Sequence, residues 1–170
     1  MESETASRGF RLTHVGLRVA NLDTSVAFYA GVFGMSELGR MQLESTTIVF
    51  LGYPDIANPP RSLFEREGVL ELVYSKNSQK TMTNSSYYPN FRFVKLAFAV
   101  PDMAKAMEYI KSHNVRVLKE AGSSQGLEVV PTFLGCDAPD KGKDASFWEA
   151  AVGIPFLEDP DGYLIEIIPY

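Results

Sequence analysis

The sequence predicts an α+β fold in which two βαβββ repeats form an incomplete barrel, as a single domain over residues 10–170. Three observations support this prediction. The segment 14–22 is repeated at 95–103, each copy passes from an alternating strand pattern into a helix start, and each repeat later contains a short apolar strand with one glutamate. A duplicated unit places equivalent side chains in equivalent environments. We therefore expect the two copies to contribute matching residues to one site.

The first repeat begins with a strand in which apolar residues occupy every second position from Val15 to Val19. This period of two is typical of a strand with one face on a core. Asn21 or Asp23 is the expected N-cap of the following helix, and Gly34 is its expected end. The remaining strands of this repeat are expected at residues 40–42, 46–51 and 69–73.

The second repeat shows the same order of elements. Leu96, Phe98 and Val100 form the apolar face of its first strand, and Pro101-Asp102 opens a helix that runs to about His113. An Asp-Gly pair at 161–162 is typical of a hairpin turn. The remaining strands are expected at residues 116–119, 154–157 and 163–169.

The repeats are expected to occupy residues 10–75 and 91–170, joined by a polar linker at 76–90. The second repeat is the longer one because of an insertion near 121–150. Its clusters of Gly, Pro, Asp and Lys predict a long loop or flap, and a loop of this length usually has a function. Trp148 in this insertion is a candidate substrate-binding residue, although packing within the flap is the commoner role of such a side chain.

The composition excludes several classes of partner. A net charge of -5 and a pI near 5.1 give no field that attracts phosphate backbones, so nucleic acid is not expected. A membrane span needs a run of about 18 or more apolar residues, which the sequence lacks. The first residues are polar, and the single Cys136 has no intrachain partner for a disulfide. We expect a cytoplasmic protein that acts on a small molecule.

Four polar residues occupy strand faces opposite those that pack against the helices, namely His14, Glu71, Lys95 and Glu166. If the two curved sheets are placed together, these four side chains converge inside the barrel. Burial of carboxylates is costly unless a cation or a hydrogen-bond donor meets them. A positive charge is therefore expected between Glu71 and Glu166.

Six short segments of the sequence together give a more specific signal than any one of them alone. The matching stretches are LRV (17–19), SVAFY (25–29), FGM (33–35), LEL (70–72), AVPD (99–102) and DPDGYLIEI (159–167). Together they resemble the vicinal oxygen chelate superfamily of glyoxalases, bleomycin resistance proteins and dioxygenases. Within it, the sequence is most similar to the glyoxalase I (lactoylglutathione lyase) branch, from Leu12 to Pro169.

The resemblance implies a divalent-metal site with one ligand from each of four strands, typically His or Gln, then Glu, His and Glu. Carried over by position, the ligands are His14, Glu71 and Glu166, and Lys95 stands third in place of His. An ammonium group has no lone pair to donate. We therefore expect weak or absent metal binding, with those three residues as ligands if a metal binds.

The glutathione side of the resemblance is less complete. Arg18 matches a family arginine that contacts the glutathione moiety, and it is the second candidate substrate-binding residue. Ser75, Phe91 and Val152 stand where the family has Asn, Arg and Lys. Binding of glutathione is therefore not expected.

The resulting hypothesis is an isomerase or lyase that transfers a proton next to a carbonyl group of a small, apolar or aromatic metabolite. Glu166 is the general base, and Lys95 is the electrophile in place of a metal. Glu71 orients Lys95, and His14 is a second proton carrier or hydrogen-bond donor. Lys95 as a purely structural counter-ion stays open, as do a non-catalytic binding protein and an authentic glutathione-dependent glyoxalase I. The resemblance also implies a homodimer.

Overall fold

A computed structural model of the chain describes residues 9–57, 59–76, 93–134 and 145–170, with the side chains of 132–134 and 145–147 outside the description. The chain divides into two compact units, Met1–Gln79 and Lys80–Tyr170. Apart from residue 76, the predicted linker lies outside the described residues.

The first unit contains one helix and one four-stranded mixed sheet. β1 pairs in parallel with β4, while β3 pairs antiparallel with both β4 and β2, which gives the order β1-β4-β3-β2. A short 3-10 turn, Leu63–Glu65, lies in the connection between β3 and β4. The elements are β1 (His14–Arg18), α1 (Leu22–Phe33), β2 (Ser36–Gln42), β3 (Thr46–Gly52) and β4 (Val69–Ser75).

The second unit repeats this topology, with the sheet order β5-β8-β7-β6 and a parallel pair between β5 and β8. The α+β fold of two βαβββ repeats is therefore confirmed. The elements are β5 (Leu96–Val100), α2 (Met103–Ser112), β6 (Arg116–Lys119), α3 (Val129–Leu134), α4 (Ala145–Gly153), β7 (Phe156–Glu158) and β8 (Leu164–Pro169).

Equivalent caps start the two long helices. The Asn21 side chain accepts a hydrogen bond from the backbone N–H of Thr24 at 3.0 Å, which identifies the N-cap among the two candidates. Asp102 accepts the corresponding bond from Lys105 at 3.0 Å. α1 ends at Gly34, whose φ of 68° is a left-handed conformation that glycine adopts without steric cost.

One face of each sheet forms the core. α1 packs on β3 and β4, and α2 packs on β8. Leu17, Val49 and Leu72 are fully buried in the first unit, as are Ile165 and Ile167 in the second. The glutamates of β4 and β8 alternate with these residues, so they lie on the opposite face of their sheets.

In the segment 121–150, which was predicted as a loop or flap, residues 121–128 form turns as expected, whereas the prediction was wrong for 129–134 and 145–150, which are helical. Two helices, α3 and α4, occupy much of the connection between β6 and β7. They form because Val130 and Ala151 are buried together with Phe156 of β7, which gives each short helix an apolar contact. The connection is therefore a packed helical cover in the residues described.

Candidate functional site

The first unit brings His14 and Glu71 together. Gly16 of β1 pairs with Glu71 of β4 in parallel register, and His14 lies two residues before Gly16 on the same face. The His14 Nε2 atom is 3.5 Å from Oε2 of Glu71, and the exposed fractions of the two side chains are 32% and 22%. The Nδ1 atom of His14 contacts the Thr13 hydroxyl at 2.8 Å. The imidazole is thus held at both nitrogens and points one of them at a carboxylate.

Gly16 lets the Glu71 carboxylate lie close to β1. A Cβ atom at this position would lie 3.3 Å from the Oε2 atom of Glu71, a tighter approach than side chains normally accept. The carboxylate therefore occupies the space that a side chain on β1 would fill. The small size of residue 16 places Glu71 over the neighbouring strand.

The second unit brings Lys95 and Glu166 together in the matching position. Ala97 pairs with Glu166 in parallel register, and Lys95 lies two residues before Ala97. The Lys95 ammonium donates a hydrogen bond to Oε2 of Glu166, and the exposed fractions of the two side chains are 25% and 18%. A charge-assisted bond in this partly buried setting keeps the ammonium beside the carboxylate.

Each glutamate also has an aromatic neighbour on the adjacent strand. Phe50 of β3 pairs with Glu71, and Phe156 of β7 pairs with Glu166. Residues paired across strands have side chains on the same face. The Phe50 ring contacts the His14 ring edge-on, with centroids 5.8 Å apart. Each carboxylate is therefore bordered by an aromatic ring.

The pairing registers define one row of residues across each sheet. The first row, in the first unit, consists of Gly39, Phe50, Glu71 and Gly16. The second row, in the second unit, consists of Lys119, Phe156, Glu166 and Ala97. In the first unit the 3-10 turn covers the end of the row, with Leu63 close to Gly39. In the second unit α3 and α4 cover the row near Phe156.

The two candidate substrate-binding residues lie in different units. Arg18 is on β1, on the face of His14, and is partly buried. Trp148 is on α4 and packs against the cluster of Val130, Ala151 and Phe156 while remaining partly exposed. Their roles as substrate contacts stay predictions.

Lys119 is a buried charged residue that the sequence analysis missed. Its side chain is 1% exposed, and its Nζ atom donates to the carbonyl oxygens of Glu120, Val152 and Ile154 at 3.1, 2.7 and 2.8 Å. Burial lowers the pKa of this ammonium from its ordinary value, because desolvation disfavours the charged form. A lysine at the end of a short edge strand resembles a surface residue, so the pattern alone gave no signal.

The residues present do not fit the four-ligand metal site that the resemblance implies. The first pair, His14 and Glu71, offers a nitrogen and a carboxylate, and these donors suit a divalent metal. In the second pair the ammonium of Lys95 occupies the place of a donor and already binds the carboxylate of Glu166. Among the described residues no group of three or more His, Cys, Asp or Glu side chains has a metal-holding arrangement.

Comparison with known families gives a match over residues 11–126 to the Glyoxalase/Bleomycin resistance protein/Dioxygenase superfamily. The match covers more than half of the chain, and the chain belongs to this superfamily. The resemblance inferred from the short segments is confirmed. In the part of the chain that is described, no helix has the length and apolar character needed to cross a membrane.

Several curated relatives are lactoylglutathione lyases. The Salmonella typhimurium enzyme of that name is 30% identical over 160 residues, which are 93% of this chain and 91% of the relative. Glyoxalase I of Saccharomyces cerevisiae is 32% identical over 170 residues, covering 94% of this chain and 44% of the relative. The Schizosaccharomyces pombe lactoylglutathione lyase is 26% identical over 99% of this chain and 50% of its own length. The chain thus spans about half the length of the yeast relatives.

Solved structures give the same family. Glyoxalase I from Zea mays is 26% identical with a TM-score of 0.58, over 93% of this chain and 44% of that one. The trypanothione-dependent glyoxalase I of Leishmania major, at 24% identity and a TM-score of 0.56, shares the fold over 94% of this chain and 86% of that one. The Zea mays structure agrees with the family match, and the Leishmania major structure shows that the fold is shared.

Proposed function

We propose that this chain is an isomerase or lyase that moves a proton next to a carbonyl group of a small molecule, with Glu166 as general base and Lys95 as electrophile. The observation that carries the proposal is the hydrogen bond from the Lys95 ammonium to the Glu166 carboxylate. It places a proton acceptor and a fixed positive charge side by side on one sheet face. Those are the two groups that enolisation of a carbonyl compound requires.

The proposed step is balanced without a co-reactant. The Glu166 carboxylate takes the proton from the carbon next to the carbonyl, and the electron pair of that bond forms a carbon–carbon double bond. The carbonyl electrons move to the oxygen, whose negative charge accepts a hydrogen bond from Lys95. Because an ammonium has three N–H donors, Lys95 serves this oxygen while keeping its contact with Glu166. Glu166 then returns the proton to the former carbonyl carbon, while the hydroxyl group on the neighbouring carbon gives its proton, through water, to the negative oxygen. These two transfers give the isomer.

The first pair supplies a second proton carrier in this proposal. The His14 ring has two nitrogens that can donate or accept a proton, and its Nε2 atom is 3.5 Å from the carboxylate of Glu71. The role predicted for Glu71 in orienting Lys95 stays a prediction, since the described contact of Glu71 is with His14. Weak metal binding is part of the same proposal, because Lys95 repels a dication.

Substitution of the second pair tests the proposal. The probes are methylglyoxal and phenylglyoxal in deuterated buffer, without glutathione as their aldehyde hydrates and with glutathione as their hemithioacetals, since both forms have a C–H next to the ketone. Solvent exchange and product formation are followed by NMR. We expect Lys95→Met and Glu166→Gln each to lose roughly 10²-fold or more in rate while the fold survives, the scale of removing an oxyanion donor or a general base. Lys105→Met is the matched control, because Lys105 is an exposed lysine paired with Asp102.

Each other outcome has a defined meaning. Full activity of Lys95→Met contradicts the proposal and makes Lys95 a structural counter-ion. Binding of the probes without exchange or rearrangement favours a non-catalytic binding protein. If Lys105→Met loses rate as much as Lys95→Met does, the effect comes from the net charge of the chain and not from the position of Lys95, which contradicts the proposal.

Metal content is the second test. We expect protein purified without chelator to hold little metal, and Lys95→His to raise the affinity for Zn²⁺ or Ni²⁺ because an imidazole donates a lone pair where the ammonium does not. Elemental analysis and metal titration measure both quantities. One tightly bound metal per wild-type chain contradicts this part of the proposal.

A second candidate function is lactoylglutathione lyase. It is favoured by the Salmonella typhimurium relative of that name, which is 30% identical over nearly the whole of both chains. The glutathione arms of the same experiment decide between the two. Conversion of the methylglyoxal hemithioacetal at an ordinary enzymatic rate, with no conversion of the free aldehydes, establishes this second candidate.

A further inference from the structure

Two of the three hydrogen bonds of Lys119 go to backbone carbonyls at the end of α4. Val152 lies in the last turn of that helix, and Ile154 follows its final residue. The last carbonyl groups of a helix have no N–H partners within the helix, and they form the negative end of its dipole. Lys119 donates to the Val152 carbonyl in the last turn and to the Ile154 carbonyl just beyond it, and it adds a positive charge there. It therefore ties the end of α4 to strand β6.

A second set of contacts holds the same connection on β6. The N–H of Gly122 donates to the carbonyl of Val152 at 2.9 Å. Gly126 has a φ of 84°, and a Cβ atom there would lie 2.4 Å from the carbonyl oxygen of Leu118. The chain before α3 thus runs in direct contact with β6. These contacts hold the chain before α3 on β6, and Lys119 holds the end of α4 on the same strand.

The cover presents Trp148 next to the row that contains Glu166. Trp148 and Ala151 are three residues apart on α4, so they share one side of the helix. Both belong to the apolar cluster around Phe156, and Phe156 is the register partner of Glu166. Trp148 is only partly buried there, which leaves part of the indole surface available to a ligand.

The first unit has no such cover at the equivalent place in its described residues. β2 ends at Gln42 and β3 begins at Thr46, so the connection that corresponds to the one between β6 and β7 is very short. The helical cover is thus specific to the second unit, where it borders the proposed base.

We propose that Lys119 is a positioning residue that holds Trp148 as an aromatic wall beside Glu166, and that the substrate is a carbonyl compound with an aromatic or flat apolar group. The role of Glu166 in this inference rests on the proposed function. An indole face stacks on a planar ring with favourable energy beyond its buried area. Lys119 acts through α4 and does not touch the substrate.

Trp148 is the single tryptophan of the chain, so tryptophan emission reports on α4 alone. The probes are mandelate and lactate, the 2-hydroxy acids with a phenyl and a methyl group that correspond to phenylglyoxal and methylglyoxal. Titration of the full chain measures binding without turnover. We expect mandelate to alter the Trp148 emission and to bind roughly tenfold more tightly than lactate, the scale of one aromatic contact.

Lys119→Met tests the positioning role. The substitution keeps most of the apolar volume and removes the donors, so α4 loses its anchor. We expect the Trp148 emission to shift to the red and mandelate to lose roughly tenfold in affinity, while lactate affinity changes little. Lys111→Met is the matched control, because Lys111 is a half-exposed lysine whose partner is Glu120. Unchanged emission and mandelate affinity in Lys119→Met overturn the positioning role.

Two further variants keep the inference falsifiable if Lys119→Met does not fold. Lys119→Arg keeps the cation but places a larger head group in a packed site. We therefore expect the Trp148 emission to shift and the affinity for mandelate, but not for lactate, to fall. If neither quantity changes, the positioning role is overturned. Trp148→Leu, measured by calorimetry, should bind mandelate and lactate equally. A preserved preference for mandelate overturns the aromatic wall. None of these results depends on the rates of the Lys95 and Glu166 variants, so the two proposals fail separately.

Discussion

Gly16 and Ala97 occupy the same place in the two sheets, each opposite the glutamate of its repeat. At residue 16 the absence of a side chain admits the Glu71 carboxylate, which reaches His14. At residue 97 a methyl group is present, and the Glu166 carboxylate instead meets the ammonium of Lys95. A difference of one methyl group thus accompanies a different partner for each carboxylate.

Substitution of Gly16 tests this steric relation. Gly16→Ala forces the Glu71 carboxylate away from β1, so we expect the deuterium-exchange rate with the methylglyoxal and phenylglyoxal probes to fall by roughly tenfold, within the range of one acid–base contribution. Stability should change by less than about 1 kcal/mol, because alanine is accepted in a strand.

Gly39→Ala is the matched control for this variant. Gly39 stands at the other end of the first row, and its added Cβ would lie 3.6 Å from a methyl group of Leu63, an ordinary contact. Equal exchange rates in the two alanine variants would show that the position of the Glu71 carboxylate does not matter for turnover.

At the scale of elements, the two repeats differ in which connection is long. In the first unit the chain between β3 and β4 is long and covers its row with the 3-10 turn, whereas β2 and β3 follow closely. In the second unit the long connection lies between β6 and β7, and β7 is joined to β8 by a turn in which Asp159 accepts bonds from Asp161 and Tyr163. The strands are equivalent, and the covers are not.

Asp55 is one of the carboxylates that hold the connection between β3 and β4, which covers the row of the first unit. Asp55 accepts hydrogen bonds from the side chain of Arg61 and from the backbone N–H groups of Ala57 and Arg61. The Arg61 side chain first, and then these N–H groups, lower the pKa of Asp55 from its ordinary value of 3.8. The ionised form therefore stabilises the connection that leads to Phe64, whose ring lies near His14.

The pH dependence of stability follows from the direction of this shift. The contribution of Asp55 is fully present above its unfolded pKa of 3.8 and is lost as the pH falls toward the lower folded pKa. Asp55→Asn removes the charge, so we expect a melting temperature a few degrees below wild type at pH 7. Thermal unfolding from pH 7 downward should show this difference shrinking below about pH 4. A difference that stays constant into strong acid would contradict the assignment.

At the scale of the whole chain, the features that could be predicted from the sequence are those determined by short segments present in both repeats. The strand alternation, the caps at Asn21 and Asp102, and the equivalence of Glu71 and Glu166 depend on short segments that occur twice. Homodimer formation, a cytoplasmic location and the convergence of the four polar residues stay predictions.

What the sequence did not predict depends on distant partners. α3 and α4 are too short for a 3.6-residue period to be recognised, and they form because Phe156 accepts their apolar side chains. The role of Lys119 depends on carbonyls more than 30 residues away, at Val152 and Ile154. A carbonyl group exists at every position, so a lysine that binds carbonyls leaves no pattern of residue types.

Because Lys95 is part of the chain, the cation that pairs with Glu166 does not depend on a supply of metal from the cell. A cation that is part of the polypeptide arrives with translation, in a fixed ratio of one per chain. It does not exchange with the surroundings, and no chelator removes it. In a cell short of metals, the Lys95 side chain would still lie beside Glu166 from the moment the second unit folds.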